Sequence, residues 1–314
     1  YNGIMKVTII GYKNHSTRLH KILESMGVDS HMWNHHKDDF SKVIGSDCVL
    51  ISSPSNTHIK YIKRILKESP NSYIFCEKPP TTNIEDLKYL KGLSSNIKEM
   101  IFFNYNYRFS LLSELVGECD LGKPVHFNFI SSHGLALKDS YKDNWRFSPT
   151  NELLGVYGTV AIHYIDLCLW LLGEYESINI NKHNYSNSKT SDSITIDMKF
   201  KNGCTTNIFV SYVTPFVNKA DLIFDDGILE LDNGKIKLYE PRESFDEHGH
   251  FTKPHSRCIV DNNSSKDYYD VSLKKSLSFF IDNVREKNKF NVDDFNMSVK
   301  SNEILLNKIG DIDD

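Results

Sequence analysis

Two short stretches of this chain carry side chains whose types and spacing suit proton and charge chemistry. In residues 72–80, S-Y-I-F-C-E-K-P-P, an apolar run delivers Glu77 and Lys78 to the point where Pro79 and Pro80 forbid further ladder pairing. Open α/β sheets keep their ligands at strand carboxyl ends, and a lysine that starts from a double-proline turn is restricted in where it points. Lys78 is therefore the first candidate for chemistry, since an ammonium there can stabilise negative charge growing on an oxygen. In residues 158–173, G-T-V-A-I-H-Y-I-D-L-C-L-W-L-L-G, a helix apolar on nearly every side carries Thr159, His163 and Asp166 on one face. Burying such groups without partners is costly, so His163 and Asp166 either satisfy each other in a core or line a cleft where the imidazole moves a proton.

The elements that must hold these groups follow a regular order. Residues 6–11, K-V-T-I-I-G, read as a strand running into a glycine, followed by a helix with Leu19, Ile22, Leu23 and Met26 on one face. A weak strand at 29–34, a helical turn at 38–44, a strand at 47–54, a helix at 59–66, the strand before Lys78, a helix at 84–93 and a strand at 100–109 complete an alternating pattern. Alternation of this kind predicts a doubly wound parallel sheet with right-handed crossovers. Beyond it, residues 193–200, S-I-T-I-D-M-K-F, place Ile194, Ile196, Met198 and Phe200 on one face and Thr195, Asp197 and Lys199 on the other. Asn202-Gly203, Asp226-Gly227 and Asn233-Gly234 separate successive strands, as antiparallel hairpins require. Helices at 273–284 and 297–309 close the chain. The fold class expected is α/β, with an N-terminal parallel domain at 1–120 and a C-terminal α+β domain at 121–314 built on an open, mostly antiparallel sheet.

Composition narrows the partners. The 314 residues are 39% hydrophobic and 25% charged, with a net charge of −4, which shows none of the basic surplus that nucleic acid or acidic membrane would select. No stretch approaches the length of a membrane span. The six cysteines lie apart, several inside apolar runs, as reduced core thiols of a cytoplasmic protein would.

Five motifs then occur in order: S-P-S-N-T-H at 53–58, C-E-K-P at 76–79, N-Y-R-F at 106–109, W-R at 145–146, and A-I-H-Y-I-D at 161–166 with Leu172-Gly173. Together they resemble the Gfo/Idh/MocA family of sugar and cyclitol oxidoreductases, over essentially the whole chain. The resemblance implies a Rossmann domain that binds NAD or NADP, and an α+β domain whose open sheet serves as a homodimer or homotetramer interface. It implies hydride transfer between the nicotinamide and a hydroxyl or keto carbon of a sugar, cyclitol or nucleotide-sugar lying between the domains. Residue by residue, Lys78 corresponds to the lysine that bonds the reacting hydroxyl, and His163 to the acid/base. Asp166 corresponds to a substrate-hydroxyl ligand, with Asn106, Asn144 and Trp145 lining the sugar pocket. Gly11, Lys13, Asn14, Asn34, Ser53, Pro54, Asn56, His58, Glu77 and Lys78 correspond to positions along the cofactor.

Two positions depart from the family pattern. The first turn reads G-Y-K-N-H-S where the family has G-x-G-x-x-G, so Lys13 stands where a glycine lets the backbone approach the pyrophosphate, although its charge can pair with phosphate. Thr159 stands where inositol dehydrogenase-like members carry an aspartate, which deprives His163 of a charged partner unless Asp166 substitutes. These departures keep two alternatives open: a redox-inactive sugar-binding or regulatory protein, and a glycoside hydrolase or lyase that uses NAD transiently. The second strand runs into Trp33-Asn34-His35-His36-Lys37 without an acidic residue, which removes the repulsion against a 2′-phosphate, so that NADP is tolerated. The histidine groups 31, 35, 36 and 248, 250, 255 lack metal-site spacing, and no metal is expected.

Overall fold

Short apolar runs become the interior strands of a parallel sheet because both of their faces are covered by helices. The computed structural model describes residues 5–143, 155–240, 245–261 and 265–310. It divides into two units, Tyr1–Asn106 with Leu273–Asp314, and Tyr107–Ser272.

In the first unit the chain runs β1 (Val7–Ile10), α1 (Asn14–Ser25), β2 (Ser30–Trp33), β3 (Cys48–Ile51), α2 (His58–Glu68), β4 (Tyr73–Glu77), α3 (Ile84–Lys91), α4 (Ser95–Lys98) and β5 (Ile101–Asn104). The five strands are parallel in the order β2-β1-β3-β4-β5. Every residue of β1 and of β3 is buried, whereas the edge strand β2 buries only Trp33. The strand expected over 100–109 stops at Asn104, and Asn106–Phe109 form a 3-10 turn instead.

The second unit contains α5 (Leu111–Glu118), β6 (Pro124–Ser132), α6 (Ile162–Leu172) and strands β7 (Tyr175–His183), β8 (Ser193–Phe200), β9 (Thr205–Ser211), β10 (Val217–Phe224), β11 (Ile228–Asp232), β12 (Lys235–Tyr239) and β13 (Ser256–Asp261). These form one eight-stranded sheet in the order β13-β12-β11-β10-β6-β9-β8-β7, antiparallel except where β6 meets β9. In β8 the alternation is as the sequence predicts: Ile194, Ile196, Met198 and Phe200 are buried, and Asp197 and Lys199 are exposed. Asn233 and Gly234 take φ of 51° and 98°, the two left-handed residues that a tight β11–β12 hairpin needs. The helix expected from Gly158 starts with a π turn over Tyr157–Ala161 and continues as α6, ending at Gly173 with φ of 80°.

Helices α7 (Ser265–Glu286) and α8 (Val292–Gly310) end the chain. Both were expected in a second domain starting at 121, but from Leu273 onward they belong to the first unit. Packing explains this: the Phe280 ring of α7 stands edge-on to Phe75 of β4 at 5.3 Å, and Phe295 of α8 lies 5.2 Å from Phe103 of β5. Their apolar faces thus cover the parallel sheet.

Candidate active site

In the first unit, the strand carboxyl ends gather most of the residues singled out for the cofactor. Gly11 closes β1 with φ of 143°, and its amide donates to Trp33 O at 3.2 Å. A side chain at Gly11 would collide with Ser16 Oγ and lie 3.1 Å from Ser52 O, so the turn approaches β3 as closely as glycine allows. Ser16 fills the place of the third glycine, buried, with its hydroxyl 3.0 Å from that of Ser52. Lys13 is the N-cap of α1, which has no side-chain cap and no acidic residue in its first turn. That donor set and its dipole suit a pyrophosphate, with exposed Lys13 and Asn14 beside it, so the residues present fit a dinucleotide.

Beyond β3, Thr57 Oγ1 donates to Ser53 Oγ and Pro54 O, both at 2.7 Å, shaping the loop from which α2 starts. Asn56 is exposed and lies along α2 beside Ile59, Lys60 and Lys63. His58 is 1% exposed, with Nδ1 2.9 Å from Pro79 O and Nε2 2.9 Å from Ser53 O. One imidazole thereby ties the β3 loop to the turn after β4. Burial holds His58 below the usual imidazole range, against the opposing pull of the two carbonyls and Glu77. In the neutral form only one ring nitrogen carries a hydrogen, so one of the two carbonyls accepts it and the tautomer decides which.

Lys78 is half-buried at the end of β4, followed by buried Pro79 and Pro80, and the Thr81 amide donates to Asn302 Oδ1 of α8 at 2.8 Å. The turn that carries the lysine is therefore held from two sides. Beside it, Glu77 Oε1 receives Asn104 Nδ2 at 2.8 Å and lies 2.7 Å from His15 Nε2, while Asn104 Oδ1 accepts from Ser276 of α7 at 2.7 Å. Burial alone would raise the Glu77 pKa, but His15, Asn104 and Lys78 outweigh it and hold the carboxyl low. His15 and Asn104 were missed at the sequence level. The signal for His15 was a polar ring in the first turn of α1, where an apolar residue would pack.

In the second unit, His163 is 6% and Asp166 1% exposed on α6. Arg108 supplies a partner to the aspartate of the i, i+3 pair. Arg108 Nε and Nη2 donate to the two oxygens of Asp166 at 2.7 and 2.6 Å, a fork-to-carboxylate pair sealed by Trp170, whose ring lies 4.9 Å from the guanidinium. His163 stacks on Tyr107, with ring centroids 4.7 Å apart at 25°. Consecutive residues of N-Y-R-F thus grip the histidine and the aspartate of H-x-x-D. Thr159 Oγ1 donates to Gly155 O at 2.8 Å and bonds the Tyr212 hydroxyl, so a buried phenol occupies the side chain that replaces the aspartate. Asn106 is buried at the start of the turn. Asn144 and Trp145 lie outside the described residues. Among the described residues no cluster of three metal-ligating side chains occurs, and no helix is long and apolar enough to cross a membrane.

This combination, a parallel dinucleotide-type unit and a mixed-sheet unit bearing H-x-x-D on a buried helix, defines a two-unit oxidoreductase architecture. Residues 6–105 match the family model for the oxidoreductase family with NAD-binding Rossmann fold, and residues 109–230 match the GFO/IDH/MocA C-terminal domain. The chain belongs to the Gfo/Idh/MocA family. It is 28% identical over 138 residues to levoglucosan dehydrogenase of Pseudarthrobacter phenanthrenivorans, across 41% of this chain and 34% of that protein. It is 27% identical over 161 residues to myo-inositol 2-dehydrogenase of Thermotoga maritima, across 50% of this chain and 45% of that protein. These matches span less than half the length of either relative. The fold superposes on a crystal structure of a dehydrogenase from Clostridium difficile with a TM-score of 0.77, at 16% identity, covering 98% of this chain and 99% of that one.

Proposed function

We propose that the protein is a nicotinamide-dependent oxidoreductase acting on a hydroxyl or keto carbon of a sugar or cyclitol. The observation that carries this reading is the turn of Lys78, a strand-end lysine fixed by His58, Asn302 and two prolines beside an ionised Glu77. A lysine held in that way supplies a cation to the reacting oxygen without reorganisation. His163, oriented by its stack on Tyr107, takes the hydroxyl proton in oxidation and returns it in reduction. A dinucleotide held by its pyrophosphate at the α1 turn would accept or give the hydride through its nicotinamide, with Gly11, Lys13, Asn14, Asn34, Ser53, Pro54, Asn56, His58, Glu77 and Lys78 along it. Asn106 lies with the substrate, and Asp166 acts there through Arg108. The names of the two dehydrogenase relatives support a polyhydroxylated ring as substrate. Self-association into a homodimer or homotetramer is supported by the half-buried Ile130, Phe209 and Ile223 on the outer face of the eight-stranded sheet.

The test is reduction of NAD+ and NADP+, followed at the nicotinamide absorbance, against a panel of sugars and inositols. Lys78→Ala and His163→Asn should each lower turnover by about 100-fold or more while dinucleotide still binds. Full activity of Lys78→Ala would refute the assignment.

A further inference from the structure

The loop after β2 is built from groups that suit a phosphate and not a diol. We infer that the end of β2 is a 2′-phosphate site, so that the dinucleotide this chain takes is the 2′-phosphorylated form. The inference rests on the nicotinamide reading and narrows it.

A ribose 2′-hydroxyl is recognised by a carboxylate at this strand end, and a 2′-phosphate by donors and cations. Asn34 stands there, and its side-chain oxygen is already taken by the His36 amide at 3.0 Å. Asp38 is the first carboxylate beyond it, and it is turned into its own loop. One of its oxygens accepts the Asn34 amide at 2.9 Å and the other pairs with Lys42 at 2.6 Å, leaving the side chain 13% exposed. Asp39 accepts the Ser41 amide at 2.8 Å. Both acids are therefore engaged by the turn.

What the loop turns to solvent has the opposite character. Tyr12, from the turn after β1, meets the His35 ring at 5.7 Å and the His36 ring at 6.0 Å, and the two imidazoles lie 3.8 Å apart. All three rings are exposed, as are Lys37 beside them and Lys13 one residue beyond Tyr12. Gly11 and Trp33 hold these two turns together, so the cluster lies against the phosphate-binding turn itself. Flat rings offer a face to adenine, and the imidazole N–H groups and Lys37 offer donors to a dianion.

Calorimetric titration of the full chain at low ionic strength with NADP+, NAD+ and 2′,5′-ADP tests this. NADP+ should bind at least about tenfold more tightly than NAD+, with 2′,5′-ADP competing for the same site. The His36→Ala, Lys37→Ala double variant should bring the two dinucleotides to within about threefold of each other. Equal or tighter binding of NAD+, or a double variant that keeps the full preference, would overturn the 2′-phosphate assignment and leave the oxidoreductase reading standing. Binding of neither dinucleotide would overturn both.

Discussion

Both oxygens of Asp166 are held by the guanidinium of Arg108, at 2.7 and 2.6 Å, with the two side chains 7% and 1% exposed. A buried pair of this kind adds little over an apolar pair of the same shape, but removing one partner strands the other charge out of water. Arg108→Ala should therefore destabilise the protein by about 3–5 kcal/mol, read from chemical denaturation. Arg108→Lys keeps the charge and loses the fork, so it should fall between wild type and alanine. A loss below about 1 kcal/mol in Arg108→Ala would mean the pair is not what anchors the turn to α6.

His58 makes stability sensitive to mild acid. Burial puts its folded pKa below the 6.5 of a free imidazole, so the unfolded chain takes up the proton first. Its contribution is complete above pH 6.5 and is lost as pH falls through the lower folded value. Urea midpoints measured from pH 7.5 downward should show this loss, and His58→Gln should flatten it while lowering stability at neutral pH by about 1–3 kcal/mol.

Glu77 adds a second, more acidic step. Its folded pKa lies below 4.5, so its stabilisation is present above that pH and is lost on further acidification. A double-mutant cycle with His15→Ala and Glu77→Gln should return a coupling of about 1–2 kcal/mol at neutral pH. Strict additivity would show that the 2.7 Å contact does not bind the first turn of α1 to the lysine turn.

The facing of β8 gives a control far from the chemistry. Ile196→Ala, at a fully buried position, should cost about 2–5 kcal/mol. Asp197→Ala, one residue on and exposed, should stay within about 0.5 kcal/mol. Equal costs would place the strand in the wrong register.

Much of the architecture was readable in the primary structure because it follows from local rules. Period-two alternation placed the side chains of β8, Asn233-Gly234 marked a hairpin, and Pro79-Pro80 ended β4 behind Lys78. The reading failed where local preference and tertiary demand part. The aromatic run after Met100 looks like one strand, but β5 stops at Asn104 and Asn106–Phe109 form a 3-10 turn. The terminal helices show only that each has an apolar face, and nothing local says which sheet that face covers.

The sequence by itself determined which chemical groups exist and which stretches present them: a lysine behind a strand, a histidine and an aspartate one turn apart, and no acid at the end of β2. Only the tertiary structure decided their partners. It gave Asp166 to Arg108, Glu77 to His15 and Asn104, and both ring nitrogens of His58 to carbonyls of separate loops. The reason is physical: a buried polar atom takes whichever complementary group the packed backbone brings within about 3 Å, and chain separation has no bearing on that distance.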